Sequence, residues 1–425
     1  MKRSLHSGHG HVLLASFVGT SIEFYDFYIY ATAASLVLGQ LFFPASSATG
    51  QQIAAFATMA VAFVARPVGA ALFGHFGDRV GRKSTLVASL LTMGLSTTLI
   101  AILPTYEQAG LWAPLALCTL RFGQGVGLGG EWGGAALLAI ENAPRGWRAR
   151  YGMFPQLGAP AGLFVANGVF LAIGEWVTPM QFYVWGWRIP FALSALLVAF
   201  GLYIRLTVAE TPAFTAARNQ AAPPRVPIAE LVSVHAKAII AGTIGAIGCF
   251  VLYYVATAFT LSYAVKALGY SMQLALAAQL AAIPFLVLGI FLAAWLADTR
   301  FGEWRVLAGG CAGAILAGCL ISPMIESGSP VLLFAYIALA LLTMGFAYGP
   351  LSGWLPTLFP ARVRYTGVSL SFNLAGTLGG GLTPIVATAL SARGGLGPVG
   401  LYASCGAALS LFALLSIRRK AAVSE

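Results

Sequence analysis

Charge is what this 425-residue sequence has least of. Only 9% of its residues are Asp, Glu, Lys or Arg, where a soluble domain carries about 25%. Hydrophobic residues make up 59%, and the mean hydropathy is +0.83. These figures exclude an ordinary water-soluble domain and point to an integral membrane protein. Acid is scarcer than base, 13 residues against 24, for a net charge of +11. Such an excess can mark a nucleic-acid face, but its distribution excludes that here. With the helices placed as below, all but five of the Lys and Arg fall in the loops and tails of one side. Arg188, Lys266 and Arg393 fall on the other side, and Arg66 and Arg121 lie within the membrane. That is a positive-inside bias.

Reactive residues are also few. The five cysteines (Cys118, Cys249, Cys311, Cys319, Cys405) sit in apolar segments without metal-type spacing, so they read as packing residues and no metal is expected. His6, His9, His11, His75 and His235 cluster with neither cysteines nor a Ser-Asp pair, so the chain does not read as an enzyme. No G-x-x-x-x-G-K-[ST] run exists, which excludes an ATP-driven pump in this chain. No polar stretch is long enough for a signalling domain, which makes a membrane sensor the remotest reading. The first apolar run follows Lys2 and Arg3, is too long for a signal-peptide core and has no cleavage site. It reads as a permanent helix.

What the sequence has in abundance is long apolar runs. A bilayer core needs about 20 apolar residues per helix. Twelve segments qualify: 12–41, 50–74, 84–104, 111–141, 151–174, 185–206, 237–265, 272–297, 305–325, 330–354, 364–390 and 397–417. The expected fold is an all-α membrane protein of twelve transmembrane helices, with both termini cytoplasmic. A polar stretch at 207–236, carrying Pro212, Pro223, Pro224 and Pro227, reads as a cytoplasmic linker between six-helix halves at 1–206 and 237–425. The halves echo each other. Asp78 and Asp298 end segments two and eight, and Pro144/Arg148 and Pro360/Arg364 precede segments five and eleven. Equal loop chemistry at equal places is what a duplicated transporter shows.

Charges inside the bilayer cost several kcal/mol each, so intramembrane ionisable residues mark function. Here they are Glu23 and Asp26 in segment one, Arg66 in segment two, and Arg121 and Glu131 in segment four. Helical rise puts Asp26 and Arg121 about 7 Å apart in depth, within an arginine's reach. The expected pairs are Asp26 with Arg121, and Arg66 with Glu131 or Glu23. A desolvated carboxylate whose arginine contact changes during transport gains or loses a proton. Glu23, Asp26, Arg121 and Glu131 are therefore the proton-coupling candidates. In segment four, Gly123 to Gly134 is rich in glycines that let another backbone approach. Gly158-Ala159-Pro160-Ala161-Gly162 reads as a kink in segment five and resembles a loosened drug/proton antiporter motif, which keeps proton-antiport export as an alternative.

Two levels of resemblance follow. Gly74-His75-Phe76-Gly77-Asp78-Arg79-Val80-Gly81-Arg82-Lys83 has the pattern G-x-x-x-D-R-x-G-R-K, which resembles the loop between helices two and three of the major facilitator superfamily. Arg121-x-x-Gln124-Gly125-x-Gly127 is similar to its fourth-helix motif. A narrower set occurs in order: Gly19 to Tyr28 (G-T-S-I-E-F-Y-D-F-Y), Arg66-Pro67, Gly129-Gly130-Glu131-Trp132-Gly133-Gly134, Glu210-Thr211-Pro212, and Phe359-Pro360-x-x-x-Arg364-Tyr365-x-Gly367. It resembles the metabolite:H+ symporter family, whose members carry shikimate, α-ketoglutarate, citrate or proline and betaine across bacterial inner membranes. The resemblance implies proton-driven uptake of a small metabolite by alternating access, energised by a proton gradient rather than a cofactor. The partners are then substrate, protons and the lipid bilayer, with no nucleic acid and a functional monomer.

Cavity-facing substrate candidates are Tyr25, Tyr28, Arg66, Gln124, Tyr253, Tyr254, Tyr348 and Asn373, with Thr257, Thr260 and Trp354 beside them. Arg66 and Arg121 favour an organic acid. A zwitterion such as betaine or proline would need an aromatic cage or a free carboxylate as well, and the chain offers both. The gate candidates are Gly74, Asp78, Arg79, Gly81, Arg82, Lys83, Asp298 and Arg364. By the resemblance, Asp78 meets the N-terminus of segment eleven, where the helix dipole favours an acid. Asp298 makes the weaker counterpart contact with segment five.

Overall fold

The computed structural model describes residues 7–80, 82–207, 231, 233–361 and 363–423, with side chains described within 13–14, 16–73, 87–203, 231, 233–361 and 363–417. Twelve long helical segments run through these residues, and no strand is found among them. In the first half α1 covers 7–42, α2 Ala48–Val80 and α3 Arg82–Ile100. Next come α4 at 112–141, α5 at Arg148–Trp176 and α6 at Ile189–Thr207. In the second half α7 covers 236–266, α8 272–301 and α9 Gly302–Ile325. The chain ends with α10 at 330–358, α11 at 364–394 and α12 at Leu396–Val423. The linker signature Glu210-Thr211-Pro212 lies outside the described residues.

Nine of the twelve helices lie in stretches long and apolar enough to cross a membrane, and α3 is apolar over Val87–Ile100. The remaining two, α1 and α4, are the helices that carry Glu23, Asp26, Arg121 and Glu131. Their charge has to be sheltered by neighbours rather than offered to lipid. Packing provides this: α1 lies along α5, and α4 lies between α2 and α3. Glycines make the second contact close. A Cβ at Gly125 would run into the carbonyl oxygen of Ala62, and one at Gly69 into that of Val126, so α2 and α4 touch backbone to backbone. In the second half α8 packs on α10, and α12 on α7 and α9. The halves meet where α5 lies against α8 and α2 against α11.

Among the departures from uninterrupted helices, two bear on the contact between the halves. The first is a correction: segment four is not one helix. It is broken between Leu128 and Glu131, because Gly129 and Gly130 hold the chain there with little helical preference. The second is a pair of π turns at matching places, Ala34–Leu38 in α1 and Val255–Phe259 in α7. Such turns free backbone groups for other partners. Here Ser35 Oγ of the first donates to the Ala258 carbonyl of the second, at 2.9 Å.

Candidate functional site

At mid-depth the halves enclose an aromatic and charged centre. Tyr28 of α1 meets Tyr253 of α7 with ring centroids 5.5 Å apart, and Tyr253 meets Tyr254 at 5.2 Å. Phe63 of α2 stands edge-on to Phe27 at 4.9 Å and to Tyr254 at 5.7 Å. Into this cluster α2 projects Arg66, its guanidinium 4.5 Å from the Phe27 centroid and 4.8 Å from that of Phe63. The Arg66 charge also acts on Glu23, Tyr28, Tyr254 and Tyr348. A small cavity, with room for about one water molecule, lies beside the cluster. It is lined by Tyr28 and Thr32, Leu163, Tyr254 and Thr257, and Gln279, so four helices from both halves contribute.

On the side of the chain termini the halves are joined through broken helices. The break in α4 exposes two carbonyls, and α11 takes both. Asn373 Nδ2 donates to Gly129 O at 2.8 Å, and the Tyr365 hydroxyl donates to Gly130 O at 2.7 Å. The counterpart helix α10 is interrupted after Tyr348 at Gly349-Pro350. There α5 takes the carbonyls: Gln156 Nε2 donates to Tyr348 O at 2.7 Å, and Arg148 Nη2 to Gly353 O at 3.1 Å. Trp132 ties the two arrangements together. Its ring stacks on Phe372 at 3.5 Å, and its indole N–H donates to Gln156 Oε1 at 2.9 Å. Further out, Asp298 at the end of α8 caps the N-terminus of α5. It accepts from the backbone N–H groups of Ala149 and Arg150, both at 2.9 Å, and from Arg150 Nε at 3.0 Å. A second ion pair, Arg148 with Glu303 at 3.6 Å, lies beside it. A Cβ at Gly353 would push the Glu303 carboxylate aside, so the small residue lets this ion pair lie close to α10.

The opposite side is closed mainly by neutral groups, with one lysine near its surface. Thr32 donates to Asn167 Oδ1, Asn167 Nδ2 to Gln279 Oε1, and Gln279 Nε2 to Thr257 O, each at 2.8 Å. This chain of bonds links α1, α5, α8 and α7. Nearer the far surface, Gln273 donates to Gly174 O at 2.9 Å, and Lys266 bonds to Gln52. Among the described residues no ion pair joins the halves on this side.

The candidate residues separate into groups. Tyr28, Arg66, Tyr253, Tyr254 and Tyr348 come together at the centre, with Glu23 in electrostatic range. Tyr25 does not: its hydroxyl donates to Pro190 O on α6 at 2.9 Å, within the first half. Gln124 is likewise turned from the cavity, donating to the Asp26 carbonyl and to Thr97 Oγ1, both at 2.9 Å. Asn373 serves the contact between halves. The expected Asp26–Arg121 ion pair is not formed. Asp26 Oδ1 accepts from Ser194 at 2.6 Å, while Arg121 bonds to Gln124 and lies over the Tyr30 ring at 3.7 Å. The physical reason is Gln124, one turn along α4, which stands between them and bonds to both neighbourhoods. Glu131 is the first residue of the second α4 piece, where a helix N-terminus favours an acid, and its Oε1 accepts from Ser89 at 3.2 Å. Arg364 Nε donates to Phe359 O at 3.2 Å. The gate residues Gly74, Asp78, Arg79, Gly81, Arg82 and Lys83 lie outside the described side chains.

Sequence reasoning passed over Thr32, Gln156, Asn167 and Gln279, because a search for charges does not register neutral amides and hydroxyls. The available signal was their type: a buried amide in an apolar helix needs a partner and finds it on another helix.

Residues 11–225 match the family model described as Sugar (and other) transporter. The Escherichia coli K12 inner membrane metabolite transport protein YhjE is 47% identical, over 95% of this chain and 93% of its own length. The shikimate transporter of the same organism is 36% identical over 95% and 93%. A glycine betaine/proline/ectoine/pipecolic acid transporter of Dickeya dadantii, OusA, is 32% identical over 88% and 76%. Among solved structures, a partially occluded inward-open form of the E. coli xylose transporter XylE superposes with a TM-score of 0.74 at 17% identity, covering 97% of each chain. Twelve helices in two halves, closed around a buried charged centre, are thus the major facilitator fold, and the chain belongs to the sugar (and other) transporter family of membrane metabolite transporters.

Proposed function

We propose that this chain imports a small organic acid together with protons, by alternating access between the two closures. The observation that carries the reading is the pairing of a buried cation at the centre, Arg66, with buried acids that neighbouring helices shelter from lipid. Arg66 supplies the charge that holds a carboxylate. Asp26, fully buried and held by Ser194, and Glu131, at the α4 break, are the proton carriers. Both respond to movement of α4, which also holds one closure. Residues 1–206 and 237–425 act as the rocking halves, joined by a linker at 207–236. Both termini face the cytoplasm, by the positive-inside bias. The protein works as a monomer in a bacterial inner membrane and draws on the proton gradient alone.

Reconstituted vesicles with an imposed inward proton gradient test this. Shikimate is the first probe and betaine the second. Wild type accumulates the acid against its gradient. Asp26→Asn and Glu131→Gln, combined, keep exchange of labelled for unlabelled solute but lose accumulation by about tenfold or more. Accumulation that survives in the double variant removes both acids from proton coupling. Movement of protons opposite to solute would make the protein an exporter.

A zwitterion is the second reading, favoured by one observation. Tyr28, Tyr253, Tyr254, Phe27 and Phe63 form a buried aromatic cluster next to Glu23, which suits a quaternary ammonium. Betaine accumulation without shikimate accumulation decides for it.

A further inference from the structure

Two buried guanidinium groups share one ring. Arg66 Cζ lies 4.5 Å from the Phe27 centroid, and Arg121 Cζ lies 5.2 Å from it. All three side chains are buried. Arg66 Nε and the Nε and Nη2 of Arg121 have no hydrogen-bond acceptor among the described residues. The ring faces therefore supply part of the stabilisation that acceptors would otherwise give, and cation–π attraction is strongest where both partners are desolvated. The two arginines nonetheless belong to different neighbourhoods. Arg66 stands among the central tyrosines with Glu23. Arg121 bonds to Gln124, and Gln124 donates to the backbone oxygen of Asp26, the residue before Phe27. The two cations also repel each other.

We propose that Phe27 is the positioning residue that links anion recognition at Arg66 to the proton site at Asp26. An anion that draws Arg66 away from the ring removes a competing cation. Arg121 then settles further onto Phe27, moves Gln124 with it, and alters the surroundings of Asp26. The inference rests on the proton-coupled reading above. The titratable group beside Asp26 is Tyr25 on its own helix, and Arg121 on α4 reaches its neighbourhood through Gln124. Helices α3 and α6 add the hydroxyls of Thr97 and Ser194.

The test uses the full chain in lipid with no transported solute, so it separates this inference from the uptake reading. The Asp26 carboxyl is titrated by infrared difference spectroscopy, its band identified by loss in Asp26→Asn. Arg66→Gln stands in for an Arg66 neutralised by an anion. With phenylalanine at 27, Arg66→Gln displaces the midpoint by about one pH unit, a tenfold change in proton affinity. In Phe27→Leu the displacement vanishes, and in Phe27→Tyr it returns. A ring-fluorinated phenylalanine at 27 keeps the shape but weakens the ring's negative face, and reduces the displacement to about half. The fluorinated protein carries the test if Phe27→Leu does not fold. An equal displacement with all four side chains, or none with the natural ring, overturns the proposal. Accumulation in vesicles unaffected by a proton gradient would instead sink the uptake reading, whatever this titration shows.

Discussion

The two ends of this transporter are closed by different chemistry. On the termini side, Asp298 accepts three bonds from α5, one of them from a guanidinium, and Arg148 reaches both Glu303 and a carbonyl of α10. On the far side the chief contact is a run of neutral hydrogen bonds, Thr32–Asn167–Gln279–Thr257, with a single charged donor, Lys266, bonding to Gln52. Hydrogen bonds to charged groups contribute about 1.5–3 kcal/mol each, and neutral ones about 0.5–1.5 kcal/mol. The difference suggests unequal roles. The termini-side closure is the stronger latch, and the far-side closure is the one that a small ligand interaction can tip.

The same contrast explains what was legible in the sequence. Twelve apolar runs, the Asp298 repeat and the buried acids of α1 and α4 stand out because charge and hydropathy are strong signals against this background. The break in α4 was less visible. Gly129-Gly130 reads equally as a packing motif and as an interruption, and only the partner side chains on α11 separate the two. The Asp26–Arg121 pairing failed because depth along a helix says nothing about rotation around it, nor about the glutamine in between. The far-side closure left almost no trace. Neutral amides carry no distinctive spacing, and their partners lie on helices more than a hundred residues away.

Removing single contacts should weaken the two closures unequally. The largest effect belongs to Asp298→Ala. It leaves two N–H groups and Arg150 without their carboxylate, and costs the termini-side closure about 3 kcal/mol, a population shift of about 100-fold toward opening on that side. Accessibility of a cysteine placed at Ser352, whose hydroxyl meets Gly152 O across this closure, to a thiol reagent added from that side measures it. Smaller and mutually opposed effects come from the amides. Asn373→Leu loosens the termini side, and Asn167→Leu loosens the far side, each by about 1–2 kcal/mol, since each strands a buried partner. Reagent accessibility from the two sides should move in opposite senses for the two variants. A change of the same sign in both would mean general destabilisation.

The smallest effect is expected at Glu326, whose bonds join elements of one half only. Its carboxyl accepts from Ser322 Oγ and from Leu396 N–H, which holds it below the usual carboxylate range. A lowered value means that the contribution is complete at neutral pH and fades only as pH falls through that range. Glu326→Gln should therefore lower thermal stability slightly at pH 7, lose that difference in acid, and leave both closures as they were.

The unequal closures are tested most directly by distances measured across both ends of one molecule. Spin labels at Glu141 and Arg300 report the termini side, and labels at Trp176 and Ser327 the far side, after the five cysteines are replaced by serine. Pulsed electron-electron resonance in lipid then compares the parent with Asp298→Ala and Asn167→Leu. Asp298→Ala should lengthen the first distance while the second stays short, Asn167→Leu should do the reverse, and the first shift should be the larger. Both distances lengthening together in either variant, or a larger shift for Asn167→Leu, would contradict the unequal closures.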